Sequence, residues 1–102
     1  MFDFNKYVQE NRVEVRGYGY NIRQIVCKNG LAMSVQASQH HYCSPREDQG
    51  PYQMVEVGFP NRKVEALMEY AENPATPTST VYGFVPVEVI NKIVDDNGGL
   101  AE

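Results

Sequence analysis

Asn29-Gly30 stands between two runs of β-forming residues. A dipeptide of that kind closes a hairpin because both of its residues tolerate positive φ. The first arm, residues 22–27, reads Ile22-Arg23-Gln24-Ile25-Val26-Cys27. The second, residues 31–38, places Leu31, Met33, Val35 and Ala37 on one face and Ala32, Ser34, Gln36 and Ser38 on the other. Successive side chains of a strand point to opposite faces, so the second arm predicts a sheet with one dry and one wet side. An antiparallel sheet is thereby fixed near the centre of the chain.

The flanking segments extend it. Residues 12–16, Arg12-Val13-Glu14-Val15-Arg16, alternate strictly, and their valines are expected to face the core. Gly17-Tyr18-Gly19-Tyr20 then bends or breaks the strand. Residues 52–59 predict a further strand with Val55, Val57 and Phe59 inward, and residues 80–85 a last one. Helical spacing appears three times. Residues 3–11 place Phe4, Tyr7 and Val8 on one face behind an Asp3 cap. Asn61 is positioned to cap a helix with Val64, Leu67, Met68 and Ala71 inward, ending at Asn73-Pro74. A final helix opens at Pro86, buries Val87, Ile90 and Val94 with Val89 and Ile93, and stops at Gly98-Gly99. The expected architecture is a single α+β domain over residues 1–102. Its antiparallel sheet has four to five strands, and two or three helices pack on one face of it. Residues 39–51, with two prolines and no period, form a long loop, and loops of that length in a small domain usually serve function.

Charge is distributed unevenly. Residues 1–63 hold eight bases and six acids, while residues 64–102 hold seven acids against Lys92, giving a net charge of −4. A phosphate-binding surface needs clustered bases, so direct nucleic-acid binding is not expected. The acidic half suits a basic partner better. With 42% hydrophobic and 22% charged residues the chain has the composition of an ordered globular protein. No apolar run is long enough to span a membrane, and the first residues lack the order of a secretion signal, so a cytoplasmic location is expected. Cys27 and Cys43 are then expected as reduced thiols.

The densest chemistry is His40-His41-Tyr42-Cys43. With Cys27 these residues offer zinc-ligand types, but a structural zinc site uses two short pairs, and here a single cluster faces a lone cysteine. A cysteine nucleophile needs a histidine held by a separate element and a third orienting group, and both histidines lie in the same loop as Cys43. No catalytic residue, metal or cofactor is expected; a small enzyme or zinc protein centred on this loop is the alternative. Two binding surfaces are expected instead. Tyrosine and arginine anchor protein interfaces, which points to Tyr18, Tyr20, Tyr42, Arg46 and Tyr52. Glu65, Glu69 and Glu72 on one helix, with Glu88, Asp95 and Asp96 on the last, would form a carboxylate face if the two helices lie side by side.

Three stretches carry a likeness. They are Leu31 to Ser38 with His41-Tyr42-Cys43-Ser44-Pro45-Arg46, Val55-Glu56-Val57-Gly58-Phe59-Pro60, and Thr80-Val81-Tyr82-Gly83-Phe84-Val85-Pro86-Val87-Glu88-Val89-Ile90. Across residues 20–99 the chain resembles a group of small uncharacterised bacteriophage and mobile-element proteins. The resemblance transfers no catalytic residue. It implies an accessory protein that binds and blocks host machinery, including defence nucleoproteins of the CRISPR–Cas kind. The partner would be a host or phage protein, with a self-associating virion or replication accessory protein, such as a homodimer, as a further alternative.

Overall fold

The central hairpin forms where the sequence places it, with a loop one residue longer than Asn29-Gly30 alone implies. In the computed structural model, which describes residues 1–17 and 19–101, Cys27 N donates to Leu31 O at 2.8 Å and Gly30 N to Cys27 O at 2.9 Å. Lys28-Asn29-Gly30 is thus a three-residue loop in which Gly30 alone is left-handed, at φ 94°. Its arms are β3 (Ile25–Val26) and β4 (Ala32–Gln36), paired Ile25 to Met33 and Val26 to Ala32. Strand β5 (Met54–Gly58) pairs with β4, and β6 (Val81–Pro86) with β5. The result is a four-stranded antiparallel sheet in the order β3-β4-β5-β6.

A second sheet stands apart from it. β1 (Arg12–Val15) and β2 (Gly19–Ile22) form a two-stranded antiparallel ribbon. The α+β class holds; the described residues form six strands divided between two sheets in place of one sheet of four or five. Gln36 explains how the ribbon docks. Its side-chain amide donates to Ile22 O and accepts from Ile22 N, both at 2.8 Å, so one side chain supplies the two bonds a neighbouring strand would make. Gln36 is buried as a result, and the expected wet face of β4 is partly covered. The ribbon does not bury one face along its length; only its Arg12–Ile22 end is covered, and Val13, Glu14 and Val15 are all exposed. Ile22 points into the core, while Val13 and Val15 stay 42% and 39% exposed. The Arg12 side chain, not the valines, is drawn inward by the contacts described below.

Two α-helices lie against each other on the sheet's inner side. α1 (Phe4–Asn11) starts at Asp3, whose carboxylate accepts the amides of Asn5 and Lys6 as an N-cap should, and it buries Phe4, Tyr7 and Val8. Pro86 ends β6, and α2 (Val87–Asp96) follows without a linker, burying Val87, Ile90, Ile93 and Val94. Gly99 N bonds Val94 O and Gly98 N bonds Asp95 O, which satisfies the last carbonyls of α2 with two left-handed glycines. The helices are tied through their sides: Asn91 Oδ1 accepts the Phe4 amide at 2.9 Å and Asp95 Oδ1 the Phe2 amide at 2.8 Å. Phe4, Ile25, Met33, Val57, Val85 and Ile90 meet in one continuous core.

The helix expected after Asn61 is the main departure. Only a 3₁₀ segment, Glu65–Tyr70, forms there, and of its residues Leu67 alone is buried. Asn61 does not cap it. Its side chain accepts from Ala32 N and donates to Gly30 O, bracing the hairpin instead. Ala71 then bridges to Tyr82, and Glu72 N donates to Val81 O, so the chain closes the outer edge of β6 rather than continuing a helix. The other outer edge, β3, is closed by the tail, where Ala101 N bonds Val26 O at 2.7 Å. Phe59 also departs from expectation. It adopts φ 51° just beyond β5, and that turn of the backbone leaves it 59% exposed instead of inward with Val55 and Val57.

Candidate functional site

The loop between β4 and β5 is long and polar, yet it is densely self-bonded. Ser38 Oγ accepts the His40 amide at 3.0 Å and meets His41 Nδ1 at 2.6 Å. The Asp48 carboxylate takes the Gln39 amide and side chain, both at 3.1 Å, and Arg46 Nε donates to Gln39 O at 3.2 Å. Arg12 reaches in from β1. Its guanidinium donates to Ala37 O, to Asp48 O and to the Tyr52 hydroxyl, and that hydroxyl donates to Glu47 O at 2.8 Å. Tyr52 is therefore a buried post of the loop, 3% exposed, and not the contact residue the sequence suggested. Burial pushes its hydroxyl above the usual tyrosine pKa, with the Arg12 hydrogen bond working the other way.

The loop lays Tyr42 across β6. Tyr42 O accepts the Phe84 amide at 3.0 Å, and Tyr42 N donates to Glu56 Oε1 at 3.3 Å. Tyr42 lies over Gly83, where a Cβ would stand in van der Waals contact at 3.4 Å from Tyr42 Cβ. The pairing of β5 with β6 slips between Val55 and Val57, and at that irregularity Phe84 takes φ 52°. A left-handed backbone is costly for a bulky side chain, of the order of 1 kcal/mol or more. Here it turns the ring outward, 48% exposed, to within 5.9 Å of the Tyr42 ring, which is 43% exposed. The Arg46 guanidinium lies over the same Tyr42 ring, 5.6 Å from its centre. Met54, 38% exposed, shares the β5 face of Glu56. Arg46, Tyr42, Phe84 and Met54 thus form a face with the residue types that anchor interfaces.

Of the tyrosine–arginine set, Tyr42 and Arg46 come together. Tyr20 is exposed on β2, 5.6 Å from the Arg12 guanidinium, and Gly19 beside it lies against the His40 ring. Tyr18 lies outside the described residues. Phe84 and Met54 were missed. The one trace of Phe84 in the sequence is the glycine before it, which inside a strand signals an irregular register.

The acidic set divides as well. Glu65 and Glu69 border a groove between the 3₁₀ segment and α2, and Asp96 closes its far side. Glu88 is exposed nearby: the Tyr70 hydroxyl is pushed up first by a hydrogen bond to the Glu69 carboxylate, with the charge of Glu88 adding to it. Asp95 turns away to α1, and Glu72 follows the edge of β6.

Cys27 and Cys43 are buried free thiols, and burial raises both above the usual thiol pKa. A raised pKa withholds the thiolate that attacks or ligates. The Ser38–His41 contact has the form of a nucleophile–base pair, but Ser38 is 1% exposed and closed to a substrate. Among the described residues no group of three or more His, Cys, Asp and Glu side chains could hold a metal ion, and no helix is long and apolar enough to cross a membrane. No family model, curated protein or solved structure matches the chain.

Proposed function

We propose that this chain is a non-enzymatic accessory protein that acts by binding another protein through the Arg46–Tyr42–Phe84 face. The observation that carries this reading is Phe84, held at φ 52° and half-exposed against Tyr42. A strained backbone that presents an aromatic ring to solvent is uphill for the isolated fold, and such outliers concentrate where a ligand or partner uses them. In keeping with the resemblance to phage and mobile-element proteins, the partner is a host nucleoprotein whose nucleic-acid or assembly surface is occupied, as anti-CRISPR inhibitors do. The protein would act in the cytoplasm of the host cell, without a cofactor.

Capture of the tagged protein from a bacterial lysate tests this. Wild type recovers a stoichiometric partner, and Phe84→Gly and the pair Tyr42→Ala, Arg46→Ala lose it while remaining folded. Phe84→Gly is expected to keep full thermal stability or gain it, because glycine relieves the left-handed strain. Full capture by both variants would remove the face from consideration.

A second reading, self-association, is favoured by the ribbon. Among the described residues β1 has a strand partner on one side only, and Val13 and Val15 are exposed. Such an edge can add a strand from another copy. Light scattering of the purified protein distinguishes the two, since this reading requires a dimer.

A further inference from the structure

The groove beside α2 lies apart from the Tyr42 face and has its own chemistry. It encloses about 280 Å³, room for one or two side chains and less than a cofactor requires. Ala66, Tyr70, Val89 and Ile93 supply its apolar surface, and the small, exposed Ala66 leaves the space open. Around that surface stand Glu65, Glu69 and Asp96, with Lys92 as the one base. Lys92 is already neutralised by Asp96 at 2.6 Å, and Glu65 is paired at the outer side with Lys63 at 3.3 Å. Glu69 is in no ion pair among the described residues.

We propose that this groove is the docking site for a basic amphipathic segment of a partner protein. One apolar side chain of the segment would rest on Val89 and Ile93, and flanking lysines or arginines would meet Glu69 and the outer carboxylates. Charge complementarity selects that occupant. An acidic segment would be repelled, and a purely apolar one would strip water from Glu69 without replacing its hydrogen bonds. The six-charge acidic excess of residues 64–102 adds a long-range field of the same sign, which speeds encounter with a basic partner. The exposed acids need only modest energies each, since the apolar contact supplies the registration.

The test uses the full chain and three labelled helical peptides: one of leucine and lysine at amphipathic spacing, the same peptide with glutamate for lysine, and the same with serine for leucine. The leucine–lysine peptide is expected to bind and the other two to bind at least about tenfold more weakly, with affinity falling steeply as salt rises from about 0.05 to 0.3 M. Amide shifts on binding should map to Ala66, Tyr70, Val89 and Ile93. Ala66→Lys and Glu69→Lys, both at exposed positions, are each expected to weaken binding about tenfold without changing the far-ultraviolet spectrum. Equal binding of the serine peptide would reduce the site to bulk charge and overturn the proposal. So would shifts that map elsewhere, no binding of the leucine–lysine peptide, or unchanged binding by both variants. Loss of the Tyr42 face in the capture experiment leaves these outcomes unaffected, so the two readings fail separately.

Discussion

His41 shows how one residue can link the contact loop to pH. It is half-buried, with Nδ1 against Ser38 Oγ, and burial holds its pKa below the ordinary 6.5. Glu56 opposes that shift, while His40, Arg12 and Arg46 reinforce it. The unfolded chain therefore takes up a proton at His41 that the folded chain resists. The contribution of this residue is complete above pH 6.5 and is lost as pH falls below that value toward the folded pKa. Urea unfolding at stepped pH should show stability declining in that window, and His41→Asn should flatten this part of the decline. Identical pH profiles for the two proteins would refute the assignment. Nothing in the order of residues foretells this, because His40 and His41 are chemically identical in sequence and differ only in which of them the loop turns inward. Tyr52 makes the same point: a tyrosine near a turn reads as a surface anchor until Arg12 and Glu47 are seen to satisfy its hydroxyl.

At the scale of elements, period was legible and facing was not. The alternation of Leu31, Met33, Val35 and Ala37 placed all four residues in the core, and the spacing of Phe4, Tyr7 and Val8 placed α1. In the ribbon the same rule yields two solutions related by one flip, and local pattern prefers valines inside. The structure takes neither in full: Gln36 locks the ribbon to β4 at Ile22, Arg12 opposite Ile22 turns inward, and Val13, Glu14 and Val15 all stay exposed. Replacing both Val13 and Val15 by threonine should change unfolding free energy by less than about 1 kcal/mol, as exposed positions do. Ile22→Ala should cost about 2–4 kcal/mol, as deletion of a fully buried aliphatic side chain does. Urea titration of the two proteins decides it, and a larger loss for the valine pair would place the valines in the core. The 3₁₀ segment failed to become a helix for a comparable reason: Asn61, the expected cap, is engaged at the hairpin, and Ala71 and Glu72 are drawn into strand contacts.

For the whole molecule, the composition and the helix–strand order sufficed for the α+β class, while the assembly of the contact face depended on long-range bonds. Arg12 is the clearest case. Its guanidinium joins the end of α1 to three points of the loop that carries Tyr42 and Arg46, and its buried Nε–H has no acceptor among the described residues. Arg12→Ala should destabilise the fold by about 2–3 kcal/mol, through loss of charge-assisted hydrogen bonds to otherwise buried acceptors. Arg12→Lys should recover little of that, since a point-charge ammonium cannot span the three acceptors as the planar fork does. Thermal unfolding of both variants checks this, and near-wild-type stability for the lysine protein would mean that charge alone holds the loop.

The ties between α1 and α2 have a consequence for synthesis. The amides of Phe2 and Phe4 find their acceptors on Asp95 and Asn91, 93 and 87 positions further along the chain. The 87 positions that separate Phe4 from Asn91 take on the order of 4–17 s to translate at about 5–20 residues per second. Through that interval the apolar stripe of Phe4, Tyr7 and Val8 is without the helix it packs beside. The ties that fix the first helix against the last therefore form only after Asn91 and Asp95 have been synthesised.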